Sequence, residues 1–136
     1  MIYLDTNVFV YALSQNVDDV SQKDRALKYL REAIEKDELI TSEIILYEFA
    51  FVSKKLGEAS ANIRENLEFI TDFIQEPNDN LFEKVVAFMN EHELYRHSFD
   101  IYHLCFSADF GCDRLITFDK GFKKLQKYVD IEIEVL

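Results

Sequence analysis

Four acids far apart in the chain, Asp5, Glu48, Asp100 and Asp119, have residue types and surroundings suited to chemistry. Glu48 lies in Ile44-Ile45-Leu46-Tyr47-Glu48-Phe49-Ala50-Phe51-Val52, so on a helix it shares the stripe that seeks the core. Ile44, Ile45, Phe51 and Val52, one turn away on either side, are all apolar, and an ionised carboxylate among them is costly unless something cationic meets it. No Lys or Arg lies within one turn, which points to a metal ion as the partner. Asp5 follows Ile2-Tyr3-Leu4, Asp119 follows Leu115-Ile116-Thr117-Phe118, and Asp100 stands in the first turn of a new helix. Each of these three alone is explained as a helix cap, because its oxygen satisfies orphan amides. Together, four carboxylates on one crevice repel strongly unless divalent cations sit between them. Oxygen-only ligation without a Cys or His cluster suits a hard cation, Mg²⁺ or Mn²⁺, and such a site suits phosphodiester hydrolysis.

The elements that must position these acids alternate between strand-length apolar runs and longer helical periods, the pattern of a parallel α/β sheet. A strand over Ile2 to Leu4 leads into a short helix around Thr6 to Leu13. A second helix is expected from about Ser21 to Lys36, with Leu27, Leu30 and Ile34 on one face. Leu39 to Thr41 reads as a strand, and Ser42 as the N-cap of a Glu48 helix that fades near Gly57. Ile63, Leu67, Ile70 and Ile74, then Leu81, Val85 and Phe88 after the break at Glu76-Pro77-Asn78-Asp79, predict a protruding helical hairpin. Ser98 caps an expected helix from Phe99 to Phe110 that Gly111 closes. A strand over Arg114 to Phe118, a helix over Asp119 to Tyr128 and an alternating edge strand over Ile131 to Leu136 complete the chain. The expected architecture is one three-layer α/β/α domain spanning residues 1–136, its acids at the carboxyl ends of the strands, where open parallel sheets collect ligands.

Composition agrees with such a domain: 136 residues, 49% hydrophobic, with 12 Phe and 7 Tyr, suffice for a substantial core. Three Gly and one Pro are too few for a loop-rich chain, and no apolar stretch is long enough to cross a bilayer. The opening residues read as a strand rather than a secretion signal, so a cytoplasmic location is expected. Cys105 and Cys112 read as small buried hydrophobes. A net charge of −11 argues against holding nucleic acid by broad electrostatic attraction, although a local basic strip can still face a phosphate backbone.

Leu4-Asp5-Thr6-Asn7, Glu48 in its apolar helix, Asp100 before Ile-Tyr-His-Leu, and Leu115-Ile116-Thr117-Phe118-Asp119-Lys120-Gly121-Phe122 resemble, in order and over nearly the whole chain, the PIN-domain nucleases, and most closely VapC-type toxins. The resemblance implies that Asp5, Glu48, Asp100 and Asp119 are the metal-binding acids of a Mg²⁺- or Mn²⁺-dependent ribonuclease. It implies that Thr6 and Thr117 orient carboxylates or water, with Asn7 a polar companion. It further implies a homodimer and a cognate antitoxin whose inserted tail, opposite an acidic protein, would carry Arg or Lys.

Other residues keep two readings. Glu43 competes with Glu48, but lies in the first turn of the helix where solvent and dipole account for it. His103, on the same face as Asp100, is a ligand or proton shuttle, or a hydrogen-bonded packing residue. Lys120, Lys123, Lys124 and Lys127 form a phosphate track or a solvated helix face, with Arg96 and His97 as a second basic pair. Tyr47, Phe49 and Phe51 are base-stacking platforms, or core or dimer packing. Rival functions stand beside the nuclease: a receiver-like signalling module with a phosphorylated Asp, a non-catalytic partner-binding protein, and a phosphatase that forms an aspartyl phosphate, for which Asp5-Thr6-Asn7 lacks the second acid two residues on.

Overall fold

The computed structural model describes residues 1–136. β1 (Ile2–Leu4) is wholly buried, as a strand covered on both faces must be, and its run Ile-Tyr-Leu offers no position to solvent. It pairs in parallel with β2 (Leu39–Ile40) on one side and β3 (Arg114–Thr117) on the other, and β3 pairs in parallel with β4 (Glu132–Val135). The sheet order is therefore β2-β1-β3-β4. The chain leaves β1 towards β2 and later crosses back to β3, so the winding reverses between β1 and β3. Loops after those two strands part at that point and open the crevice in which parallel sheets hold ligands.

The sheet is flanked by α1 (Thr6–Leu13), α2 (Val20–Glu35), α3 (Glu43–Lys55), α4 (Ser60–Thr71), α5 (Leu81–His92) and α6 (Ser98–Asp109). A core of 27 buried residues joins sheet and helices, with Tyr3, Phe9, Phe49, Phe106 and Phe122 its largest fully buried side chains. Cys105 and Cys112 are unpaired, and burial pushes both thiols up to about 11, so they pack as small hydrophobes. No helix is long and apolar enough to cross a membrane.

Several local expectations are corrected. Ser42 occupies the N-cap position of α3 without making a cap bond, and its hydroxyl meets Tyr3 instead, at 2.8 Å. Ser98 is the first residue of α6 rather than its cap, a position held by His97. The segment expected as a helix after Asp119 is a 3₁₀ helix, Lys120–Tyr128, whose buried residues Phe122 and Leu125 are three apart, matching three residues per turn. The two helices expected as a protruding hairpin are present, but α4 packs mainly on α3 and α5 on α6. The segment between them runs along the free edge of β2, where Thr41 bridges to Ile74 and so occupies backbone groups that an edge strand leaves open.

α3 and α6, which carry Glu48 and Asp100, both end in a glycine. Gly111 has φ +67°, its amide bonds the carbonyl of Ala108, and the next amide, of Cys112, bonds that of Ser107, so two orphan carbonyls of α6 are satisfied. A Cβ at Gly111 would meet nothing within 4 Å, so the cost of Gly111→Ala is backbone strain alone. We expect a loss of about 1 kcal/mol, read by calorimetry as a fall of a few degrees in Tm. An unchanged Tm would contradict the left-handed closure of α6.

Candidate active site

Asp5 ends the central strand and is nearly sealed from solvent, at 7% exposure. Its Oδ1 accepts from the Thr6 amide at 2.7 Å, capping α1, while its Oδ2 accepts from the Thr117 hydroxyl at 2.7 Å across the β1/β3 opening. Thr117 Oγ1 in turn accepts from the amide of Asp119 at 2.9 Å, and Asn7 Oδ1 accepts from the amide of Phe118 at 3.1 Å. The loops after β1 and β3 are thereby stitched together. Asp119 caps the 3₁₀ helix through the Gly121 amide at 2.8 Å, so the structural explanation available to an Asp after a strand holds for both Asp5 and Asp119.

Glu48 is placed otherwise than its sequence surroundings suggest. α3 buries Ile45, Phe49 and Ser53, whereas Tyr47 and Phe51 are 68% and 65% exposed. The core therefore covers only one face of a helix that is apolar nearly all round, and Glu48 stands at the border of that face. Its partners come from the chain itself: His103 Nε2 lies 2.6 Å from Glu48 Oε1, and the Thr6 hydroxyl donates to the same oxygen at 2.9 Å. His103 is 1% exposed, and its Nδ1 lies 2.6 Å from the hydroxyl of Tyr3, which also meets Ser42. A buried file Ser42–Tyr3–His103–Glu48–Thr6 thus crosses from β1 to the crevice. The sequence marks Ser42 only as a helix cap and gives Tyr3 no role, although a tyrosine in a fully buried strand signals that its hydroxyl needs a partner.

Asp5, Glu48, Asp100 and Asp119 all line one cleft of about 340 Å³. No three His, Cys, Asp or Glu side chains already form a closed metal-ligand group. The carboxylates of Glu48 and Asp5 meet nearby donors: Thr6 and His103 for Glu48, Thr6 and Thr117 for Asp5. Electrostatic coupling between the acids persists. Burial raises the carboxyl pKa of Asp100, and the charges of Asp5 and Asp119 raise it further. Burial likewise raises Asp5, against the pull of His103 and the Thr117 and Thr6 hydrogen bonds. Burial also pushes Glu48 up, but the hydrogen bond and charge of His103 outweigh it and hold Glu48 below its ordinary value. Burial pulls His103 down, and the bond to Glu48 with the charge of Asp5 more than reverses this. Hard oxygen donors whose negative charge is under-compensated in a half-buried cleft fit a divalent cation in donor chemistry.

Lys120, Lys123, Lys124 and Lys127 are exposed on the 3₁₀ helix beside Asp119. Lys124 Nζ lies 2.7 Å from His97 Nε2, and His97 Nδ1 is 3.7 Å from Asp100 Oδ2, so this basic strip reaches the rim of the cleft. Arg96 is exposed in the short 3₁₀ turn Tyr95–His97. Glu43 does not line the cleft and accepts from the Tyr47 hydroxyl at 3.1 Å, on the solvent side of α3. Of the three aromatics around Glu48, only Phe49 is core.

The pair of His103 and Glu48 has a defined pH signature in metal-free protein. The contribution of His103, whose folded pKa is raised, is complete below roughly pH 6.5 and fades as pH climbs through the folded value. The contribution of Glu48, whose folded pKa is lowered, is present above roughly pH 4.3 and fades as pH drops through the folded value. We expect His103→Gln to cost about 2 kcal/mol at pH 6, less than the roughly 3–5 kcal/mol of a fully buried broken pair because the Glu48 side chain is 32% exposed. The loss should shrink at pH 9, measured by thermal melts in EDTA; a loss of equal size at both values would mean that packing rather than charge joins the two residues.

No curated protein proves similar enough to match this chain. A family model described as PIN domain matches residues 2–128, a stretch that takes in all four acids and ends at the last residue of the 3₁₀ helix. PIN domains are generally nucleases and generally use divalent metal ions, which accords with a parallel sheet whose carboxyl edge carries this cleft. On the match and the fold together, the chain belongs to the PIN-domain family.

Proposed function

We propose that this chain is a Mg²⁺- or Mn²⁺-dependent endoribonuclease that hydrolyses RNA phosphodiester bonds in the cleft of Asp5, Glu48, Asp100 and Asp119. The observation that carries the reading is that all four acids, distant in sequence, line one cleft at the β1/β3 opening, with Asp100 pushed up by Asp5 and Asp119. These four residues would hold the metal. When bound, a divalent ion lowers the pKa of water into nucleophilic range and offsets charge on the phosphate. The chain's own residues do the positioning. Thr117 and the Thr6 amide fix the two oxygens of Asp5, the Thr6 hydroxyl and His103 restrain Glu48, and Asn7 ties the loop after β3 to α1. Lys120, Lys123, Lys124 and Lys127 would guide the RNA backbone, a local attraction that a chain of net charge −11 has to supply at its site.

The likeness to VapC-type toxins extends the proposal to a toxin of a toxin–antitoxin pair, acting in the cytoplasm as one domain over residues 1–136. Its antitoxin would insert a basic tail into the acidic cleft. Exposed Tyr47 and Phe51 on α3 suit a homodimer contact better than solvent.

Three measurements on Asp100→Asn test the site. The ionised form of Asp100 is disfavoured by burial and by its acidic neighbours, so at pH 7 it subtracts from stability. In EDTA the variant should therefore melt about 2 °C above the parent, the shift of roughly half a kcal/mol in a domain of this size. Mn²⁺ at 100 times its Kd should stabilise the parent by about 2.7 kcal/mol and leave the variant nearly unmoved. RNA cleavage should disappear in the variant; cutting of a structured RNA at the parental rate would end the ribonuclease proposal.

A further inference from the structure

The cleft has two unlike halves along α1 and α3. In one, the Thr6 hydroxyl bonds Glu48 among the acids; in the other, where Asn16 Nδ2 bonds the Leu56 carbonyl at 3.3 Å, the lining residues are Val10 and Tyr11 of α1, Val17 of the following segment, and Val52 and Leu56 of α3. No Lys or Arg lines either half, so a phosphate entering the second has no cation to meet. Apolar walls and an aromatic ring instead suit a flat heterocycle, whose faces are hydrophobic. Tyr11 is held in place: it is half-buried and its ring packs on Phe118 at 5.0 Å between centroids. The segment bearing Val17 is anchored too, through the Gln15 amide to Glu58 at 2.7 Å and Lys23 Nζ to the Ser14 carbonyl at 2.7 Å. Asp18, next to Val17, also lines the cleft, and a carboxylate there would repel phosphate and accept from a base amino group.

We infer that the arm walled by Tyr11, Val17, Val52 and Leu56 is a nucleobase pocket that takes one unpaired base beside the scissile phosphodiester. The inference rests on the ribonuclease reading of the acidic half. A base inside a duplex is stacked on both faces and paired along its edge, so it reaches the arm only from a single strand or loop. An acidic protein gains by contact with a base what it lacks in attraction for phosphates.

The test uses the parent protein and a set of short single-stranded RNAs in which one base at a time is removed and every phosphate kept. With Mn²⁺, cleavage at a given bond should fall about tenfold or more when the base at one fixed offset is missing, and little when others are. Leu56→Trp fills the arm from its rim, where Leu56 is 40% exposed. It should bring intact RNA down to the rate of the abasic one, with no further loss on abasic RNA. Fluorescence anisotropy in EDTA should show the same order of binding without cleavage. Equal cleavage and binding across the abasic set, or equal losses from Leu56→Trp on intact and abasic RNA, would overturn the base pocket and leave the arm to another occupant, such as an apolar side chain of an inhibitory protein. Failure to cut any RNA would overturn the ribonuclease reading, while the anisotropy series would still decide whether the arm holds a base.

Discussion

A carboxylate kept almost dry at the end of the central strand is the constraint around which the crevice is organised. Asp5 has no lateral escape, because β1 is paired on both sides and the Asp5 amide itself bonds the carbonyl of Ile116. Its oxygens must find donors, and they find them in the first turn of α1 and in Thr117 on the neighbouring strand. Those bonds hold the loops after β1 and β3 at fixed separation. The remaining negative charge is felt by Asp100 from α6, and this coupling is what a divalent cation would relieve.

The same need for compensation explains His103. An imidazole buried among Tyr3, Asp5 and Glu48 loses hydration, yet the carboxylates more than restore its affinity for a proton. With Nε2–H donating to Glu48, the hydroxyl of Tyr3 fixes the ring through Nδ1, and Ser42 is drawn away from capping α3 to complete the file. One helix therefore supplies both Asp100 and, three residues on, the group that restrains Glu48. The cleft that results brings acids and apolar side chains of α1 and α3 into one space.

Much of this was legible in residue order. The apolar runs at Ile2–Leu4, Leu39–Ile40 and Arg114–Thr117 mark the strands, and the acids after them mark the carboxyl edge, since a parallel sheet places every such terminus on one side. Gly57 and Gly111 mark the ends of α3 and α6 because few other residues tolerate the left-handed backbone there. Local spacing was a poorer guide where another element competed for a side chain. Ser42 looks like a cap and bonds a tyrosine instead, and the last helical stretch is wound by the spacing of Phe122 and Leu125 rather than by an α period.

What the sequence determined by itself is the fold class, the family, and the four acids with the strand or helix that carries each, because these depend on periodicity and on short stretches of chain. What only the tertiary structure decided is the company those acids keep. The partner of Glu48 is 55 residues away, the aromatics beside it face solvent, and the carboxylates share a cleft without closing into a ligand group. Hydrogen bonds and burial belong to pairs of surfaces, and no run of residues states which surface the chain will fold against it.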